Sequence, residues 1–271
     1  MNEAELKTLT DSVFEDWVRV GVRFSGTQPA AIEPLMEKLI AQTSIVCRYW
    51  PQLFDIMAGW VQMHGDLINI PLMYKYLPES DRAVIGLLSD ITNSKEAAKF
   101  KQLTKYCPPK KMPEMLFLEP KEYFTLENII YIVPPDTAKL CKKWNLYYLS
   151  LNIKTNATFL REAILEHNPN LARRAMLGAN MKTEILNYLL SKKISSPAEI
   201  ADVVRHRLEK ITDEVNILVA DGFLTKTENG ITLTPSFTEY LHSVNNVFTP
   251  SPPERDFWPK RREHQVLACQ S

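Results

Sequence analysis

The sequence predicts a mainly α-helical protein in four parts. These are a helical N-terminal domain over residues 1–105, a small mixed connector over 106–160, a helix-and-hairpin unit over 161–245 and a tail over 246–271. Three observations predict it. Apolar residues recur at helical spacing through the first hundred positions. A breaker cluster, Cys107-Pro108-Pro109-Lys110-Lys111-Met112-Pro113, closes that stretch. Far downstream, Asn229-Gly230 lies between two β-prone runs and follows several helical patterns.

In the first part, Leu6, Leu9, Val13, Phe14 and Trp17 mark one helix. Gly26-Thr27-Gln28-Pro29 breaks the chain before a second, marked by Ile32, Leu35, Met36, Leu39 and Ile40. Pro51 opens a third through Leu53, Met57, Trp60 and Val61, and Ser80 is read as the cap of a fourth through Val84, Leu87 and Leu88. The pattern is a bundle or a short helical array. In the connector, Met115-Leu116-Phe117-Leu118, Ile129-Ile130-Tyr131-Ile132-Val133 and Leu146-Tyr147-Tyr148-Leu149-Ser150-Leu151 read as extended, the second stopped by Pro134-Pro135. Arg161–Leu177 reads as a helix or a helix pair interrupted by Pro169.

The next stretch is the most informative. Met181, Ile185, Leu186, Leu189 and Leu190 form an apolar helical stripe. Ser196-Pro197-Ala198-Glu199 has the spacing of a capping box, with proline where no donor is needed. A helix through Ile200, Val203 and Val204 follows, then one through Leu208, Ile211, Val215, Leu218 and Val219, with Gly222 near its end. The same positions also fit one unbroken helix from Pro197 to Gly222. Phe223–Thr227 and Ile231–Thr234 then flank the Asn-Gly turn. Three helices and a hairpin is the order of a winged helix-turn-helix. The chain here resembles winged-helix transcription regulators of the MarR and ArsR sort. The resemblance rests on Glu184–Leu190, Pro197-Ala198-Glu199-Ile200-Ala201 and Val219-Ala220-Asp221-Gly222-Phe223-Leu224, and covers roughly the last third of the chain.

That resemblance implies double-stranded DNA as a partner, read by the third helix of the motif as a homodimer on paired half-sites. The candidate contacts are Arg205, His206, Arg207, Lys210, Thr212 and Asn216, with Lys192, Lys193 and the wing residue Lys226 on phosphates. The competing reading is a solvated face of mixed charge, because Glu209, Asp213 and Glu214 repel phosphate. The helical domain would supply dimerisation, a partner surface or an effector pocket. Its dense aromatics, among them Trp17, Phe24, Trp50 and Trp60, fit core or a ligand pocket.

Composition narrows the classes. Lys plus Arg and Asp plus Glu are 32 each, so no global charge draws the chain to nucleic acid or membrane. The four cysteines, Cys47, Cys107, Cys141 and Cys269, lack metal-ligand spacing and read as free thiols. No metal or cofactor is expected. The acidic start Met1-Asn2-Glu3-Ala4-Glu5 does not read as a signal peptide, and no apolar run reaches a membrane span, so the expected place is the cytoplasm. His64-Gly65-Asp66 reads as a helix end, and His167-Asn168-Pro169-Asn170 as a turn. Glu162 and Glu166 read as a solvated face. With 8 glycines and neither a Walker loop nor G-x-G-x-x-G, no enzyme is expected. The tail pairs Phe257-Trp258 with Lys260-Arg261-Arg262 and reads as a flexible or surface-bound extension. The functional expectation is a DNA-binding transcriptional regulator. The alternative is a protein-interaction adaptor, or an antitoxin-like component of a defence or toxin–antitoxin module, whose winged helix binds protein.

Overall fold

The computed structural model describes residues 2–118 and 125–248, with side chains to Leu241. The chain is mainly helical with small sheets. Phe257-Trp258, Lys260-Arg261-Arg262 and Cys269, singled out in the sequence, lie outside the described residues.

Local chemistry sets the first elements. Helix α1 (Glu3–Arg19) opens on a capping box in which the Asn2 side chain accepts from Glu5 N and Glu5 accepts from Asn2 N. Helix α2 (Met36–Val46) and helix α3 (Pro51–His64) follow. Ile32 stays outside α2 and is exposed. Helix α4 (Ile70–Tyr76) starts where the Asn69 side chain accepts from Leu72 N at 3.2 Å. A 3-10 turn, Leu77–Glu79, leads to α5 (Arg82–Ile91). The cap of α5 is Asp81, accepting from Val84 N at 3.3 Å, and not Ser80, whose hydroxyl donates back to Leu77 O. Asp81 sits in register because Ser44 accepts its amide and Arg48 and Lys110 pair with its carboxylate.

The connector corrects one sequence expectation. Strand β1 (Glu114–Met115) pairs in parallel with β2 (Leu146–Tyr147). The Ile129–Val133 run between them is not a strand. It belongs to helix α6 (Leu126–Ile132), which Thr125 caps by accepting from Asn128 N. The local cap and the burial of Ile129 outweigh the β preference of the isoleucines. Helix α7 (Pro135–Trp144) ends on Asn145 in the left-handed region, φ 52°. Trp144 lies flat on Gly86, where any Cβ would meet its ring at 2.2 Å, and donates to Asp90 at 2.8 Å.

Helices α8 (Arg161–His167) and α9 (Pro169–Leu177) are a pair broken at Asn168-Pro169. Helix α10 (Met181–Lys192), strand β3 (Ile194–Ser195), α11 (Pro197–Val203), α12 (Leu208–Ala220), and strands β4 (Leu224–Thr227) and β5 (Gly230–Leu233) follow. The three strands form an antiparallel sheet in the order β3-β5-β4. Helix α13 (Pro235–Phe248) carries regular structure past Asn245, where a tail was expected to begin.

Two apolar cores result. One runs from Val13 to Ala172 and includes Leu116, Ile129, Trp144 and Tyr148 of the connector. The other runs from Ile185 to Leu241 and is built from α10–α13 and strands β4 and β5.

Candidate interaction face of the C-terminal unit

The second core fixes which side of α12 looks outward. Ile211, Val215 and Leu218 are buried, so the opposite side carries Glu209, Asp213, Asn216 and Ala220. At 100° per residue, Glu209, Asp213 and Ala220 fall on one line along the helix. Leu208 and Ile217 are large apolar side chains about half exposed beside that line, and Lys210 borders it. Glu209 and Asp213 have no ion-pair partner among the described residues.

The residues singled out in the sequence divide into groups. Lys192 and Lys193 are exposed at the end of α10, and Lys193 has φ 67°. Lys226 on β4 donates to Asn216 Oδ1 at 2.6 Å, so these two are brought together. The Thr212 hydroxyl donates back to Leu208 O at 2.8 Å. Arg207 and Lys210 are exposed at the start of α12.

Arg205 and His206 are placed differently. The chain turns between α11 and α12 without a glycine: Arg205 takes φ 53°, and His206 N donates to Ala201 O at 3.0 Å. The Arg205 guanidinium lies 4.0 Å over the Tyr76 ring and pairs with Glu79. Both partners belong to the helical unit. His206 is half-buried with its Nε2 unpartnered. Burial, with Lys75 and Lys210 nearby, holds its pKa below the ordinary imidazole value.

A second junction was not foreseen. Arg174 on α9 is fully buried between two carboxylates: Nη1 and Nη2 reach Glu37 at 2.9 and 3.1 Å, and Nε reaches Glu184 at 2.8 Å. Glu37 also accepts from Asn69 N, and Arg174 donates to Leu67 O. Burial pushes Glu37 above the usual carboxylate range, with Arg174 pulling it back. Glu33 adds a tie by accepting from Asn170 N and Leu171 N, both at 3.0 Å, in the first turn of α9. The available sequence signal was Arg174 itself, three positions from the buried Leu171.

His64 ends α3, as the sequence predicts, but Gly65 has φ −62° and continues into a 3-10 turn, Gly65–Leu67. Its ring is buried against Trp60 at 5.3 Å. The described residues hold no group of three or more His, Cys, Asp or Glu placed for a metal ion. None of their helices is long and apolar enough to cross a membrane. Comparison with protein-family models, curated proteins and solved structures found no match.

Proposed function

We propose that the C-terminal unit is a winged helix whose α12 face docks on another protein, making the chain a two-part interaction protein. The order helix, strand, helix, turn, helix, hairpin supports the winged-helix reading, as does a third strand closing the sheet beside the hairpin. One observation carries the choice of partner. The centre of the outward face of α12 is Glu209 and Asp213, where a duplex would present phosphates and base edges. The surrounding unit does not compensate, since residues 181–241 hold seven lysines and arginines against nine aspartates and glutamates. Exposed Leu208 and Ile217 beside these carboxylates give the face apolar area that a protein partner can bury. In this reading an adaptor or antitoxin-like role fits better than promoter recognition.

A second reading, a dimeric DNA-binding regulator, is favoured by the exposed cations Lys192, Lys193, Arg207, Lys210 and Lys226 around the same helix. Duplex binding across a salt series separates the two. The protein reading predicts weak binding by the wild type without sequence preference. It also predicts tighter binding by the Glu209→Lys, Asp213→Lys double variant, whose salt slope steepens by up to about one unit per added contact. Tight, sequence-selective wild-type binding that Arg207→Ala with Lys210→Ala abolishes establishes the DNA reading instead. In cells, a photo-reactive phenylalanine analogue at Ala220 should give one discrete protein adduct that Asp213→Lys removes.

A further inference from the structure

We propose that Arg205, Tyr76 and Glu79 form a latch that holds the α11–α12 corner against the helical unit, and that docking on α12 opens it. The inference rests on the docking reading above. It starts from the turn itself. A left-handed backbone is uncommon for residues other than glycine, and Arg205 at φ 53° carries a tertiary contact in addition to the local bond from His206 N to Ala201 O. The contact is the guanidinium stacked 4.0 Å over Tyr76 and paired with Glu79.

The closed corner carries opposing terms. The Arg205 and Glu79 side chains are 38% and 51% exposed, and an ion pair so exposed is screened and weak. Closure leaves His206 Nε2 buried without a partner, a cost that opening to water removes. Lys75 and Lys210 bring positive charge near that imidazole. Proton uptake by His206 adds one more cation to the cluster, so acid favours opening.

The surroundings confine the motion. Ile200, Val204 and Ile211 stay in the second core, and Arg174 pins α10 through Glu184. Opening therefore frees the Arg205–Arg207 turn without separating the two units. The corner it uncovers adjoins the Glu209–Asp213 line, where a partner competes for the same side chains.

Hydrogen exchange on the full chain tests the latch without any partner. In Arg205→Gln and in Glu79→Gln, the hydrogen-bonded amides of Arg205 (or its replacement) and His206 should exchange about tenfold faster while those of α3 and α10 keep their wild-type rates. Wild type in about 0.5 M salt should move in the same direction, because an exposed pair is screened. Unchanged exchange at positions 205 and 206 in both variants overturns the latch, as does equal acceleration through α10. The Ala220 photo-adduct supplies the second arm, and its yield should rise in both variants. Faster exchange with unaltered yield overturns the coupling to docking. A wild type that forms no adduct defeats the docking reading, and with it the coupling, while exchange still decides whether the latch exists.

Discussion

The two junctions between the helical unit and the C-terminal unit are built from the same kind of chemistry at opposite depths. At one, Arg174 joins Glu37 to Glu184 of α10, the three side chains being 2%, 0% and 9% exposed, and every guanidinium nitrogen has an acceptor within 3.1 Å. At the other, Arg205 meets Glu79 in solvent and leans on one ring. The difference teaches that an arginine–glutamate pair has no fixed worth. Breaking a buried pair strands a charge, whereas breaking an exposed one hands both groups to water. One junction thus fixes where α10 sits, and the other holds a corner that little free energy separates from release.

The largest effect should come from the buried junction. Arg174→Met leaves Glu37 and Glu184 without their cation, so urea unfolding should show a loss of about 3–5 kcal/mol. Replacing Glu37 and Glu184 as well, by Leu and Gln, should recover part of that loss. A wild-type-like midpoint for Arg174→Met would erase the contrast.

A second effect sharpens it with a buried group remote from the exposed latch. Burial, and then the charge of Arg161, push His64 down to about 4 from an ordinary value near 6.5. Between those values the unfolded chain binds a proton that the folded chain refuses. The His64 contribution is therefore complete above about pH 6.5 and declines as pH falls toward 4, by roughly 3 kcal/mol. Asp16, pushed up to about 6 chiefly by burial, acts with the opposite sign. The readout is thus the difference between wild type and His64→Gln, whose stability–pH curves should converge on acidification.

Smaller effects follow at the surface. Ser196→Ala removes the oxygen that accepts from Glu199 N at 3.2 Å and should cost about 1 kcal/mol by thermal or urea unfolding. Arg205→Gln should cost less, under about 1 kcal/mol, since it removes only a screened pair and a partly exposed cation–π contact.

The legible parts of this chain were those settled within a few residues. Ser196 and Glu199 do form the expected capping box, and Asn229-Gly230 does turn β4 into β5, with Thr227 opposite Gly230. Pro51, Pro169 and Pro197 sit at helix starts, where their missing donor is harmless. The illegible parts were settled from a distance. Ile129–Val133 is a short apolar run whose period does not separate helix from strand, and burial of Ile129 decides it. The turn at Arg205 has no breaker: a bond from His206 N to Ala201 O closes it, and Arg205 reaches Tyr76 and Glu79, the latter 126 positions away. Arg174 finds Glu37 across 137 positions. Of the candidate face, the positions on α12 could be read from spacing. The diversion of Arg205 to the helical unit could not.

A pair of double-mutant cycles tests the central contrast most directly. Arg174→Met with Glu37→Leu, and Arg205→Gln with Glu79→Gln, would be compared by urea unfolding of the full chain. The expected coupling is at least about 2–3 kcal/mol at the buried junction and under about 1 kcal/mol at the corner. Equal couplings, or a larger one between Arg205 and Glu79, would contradict it.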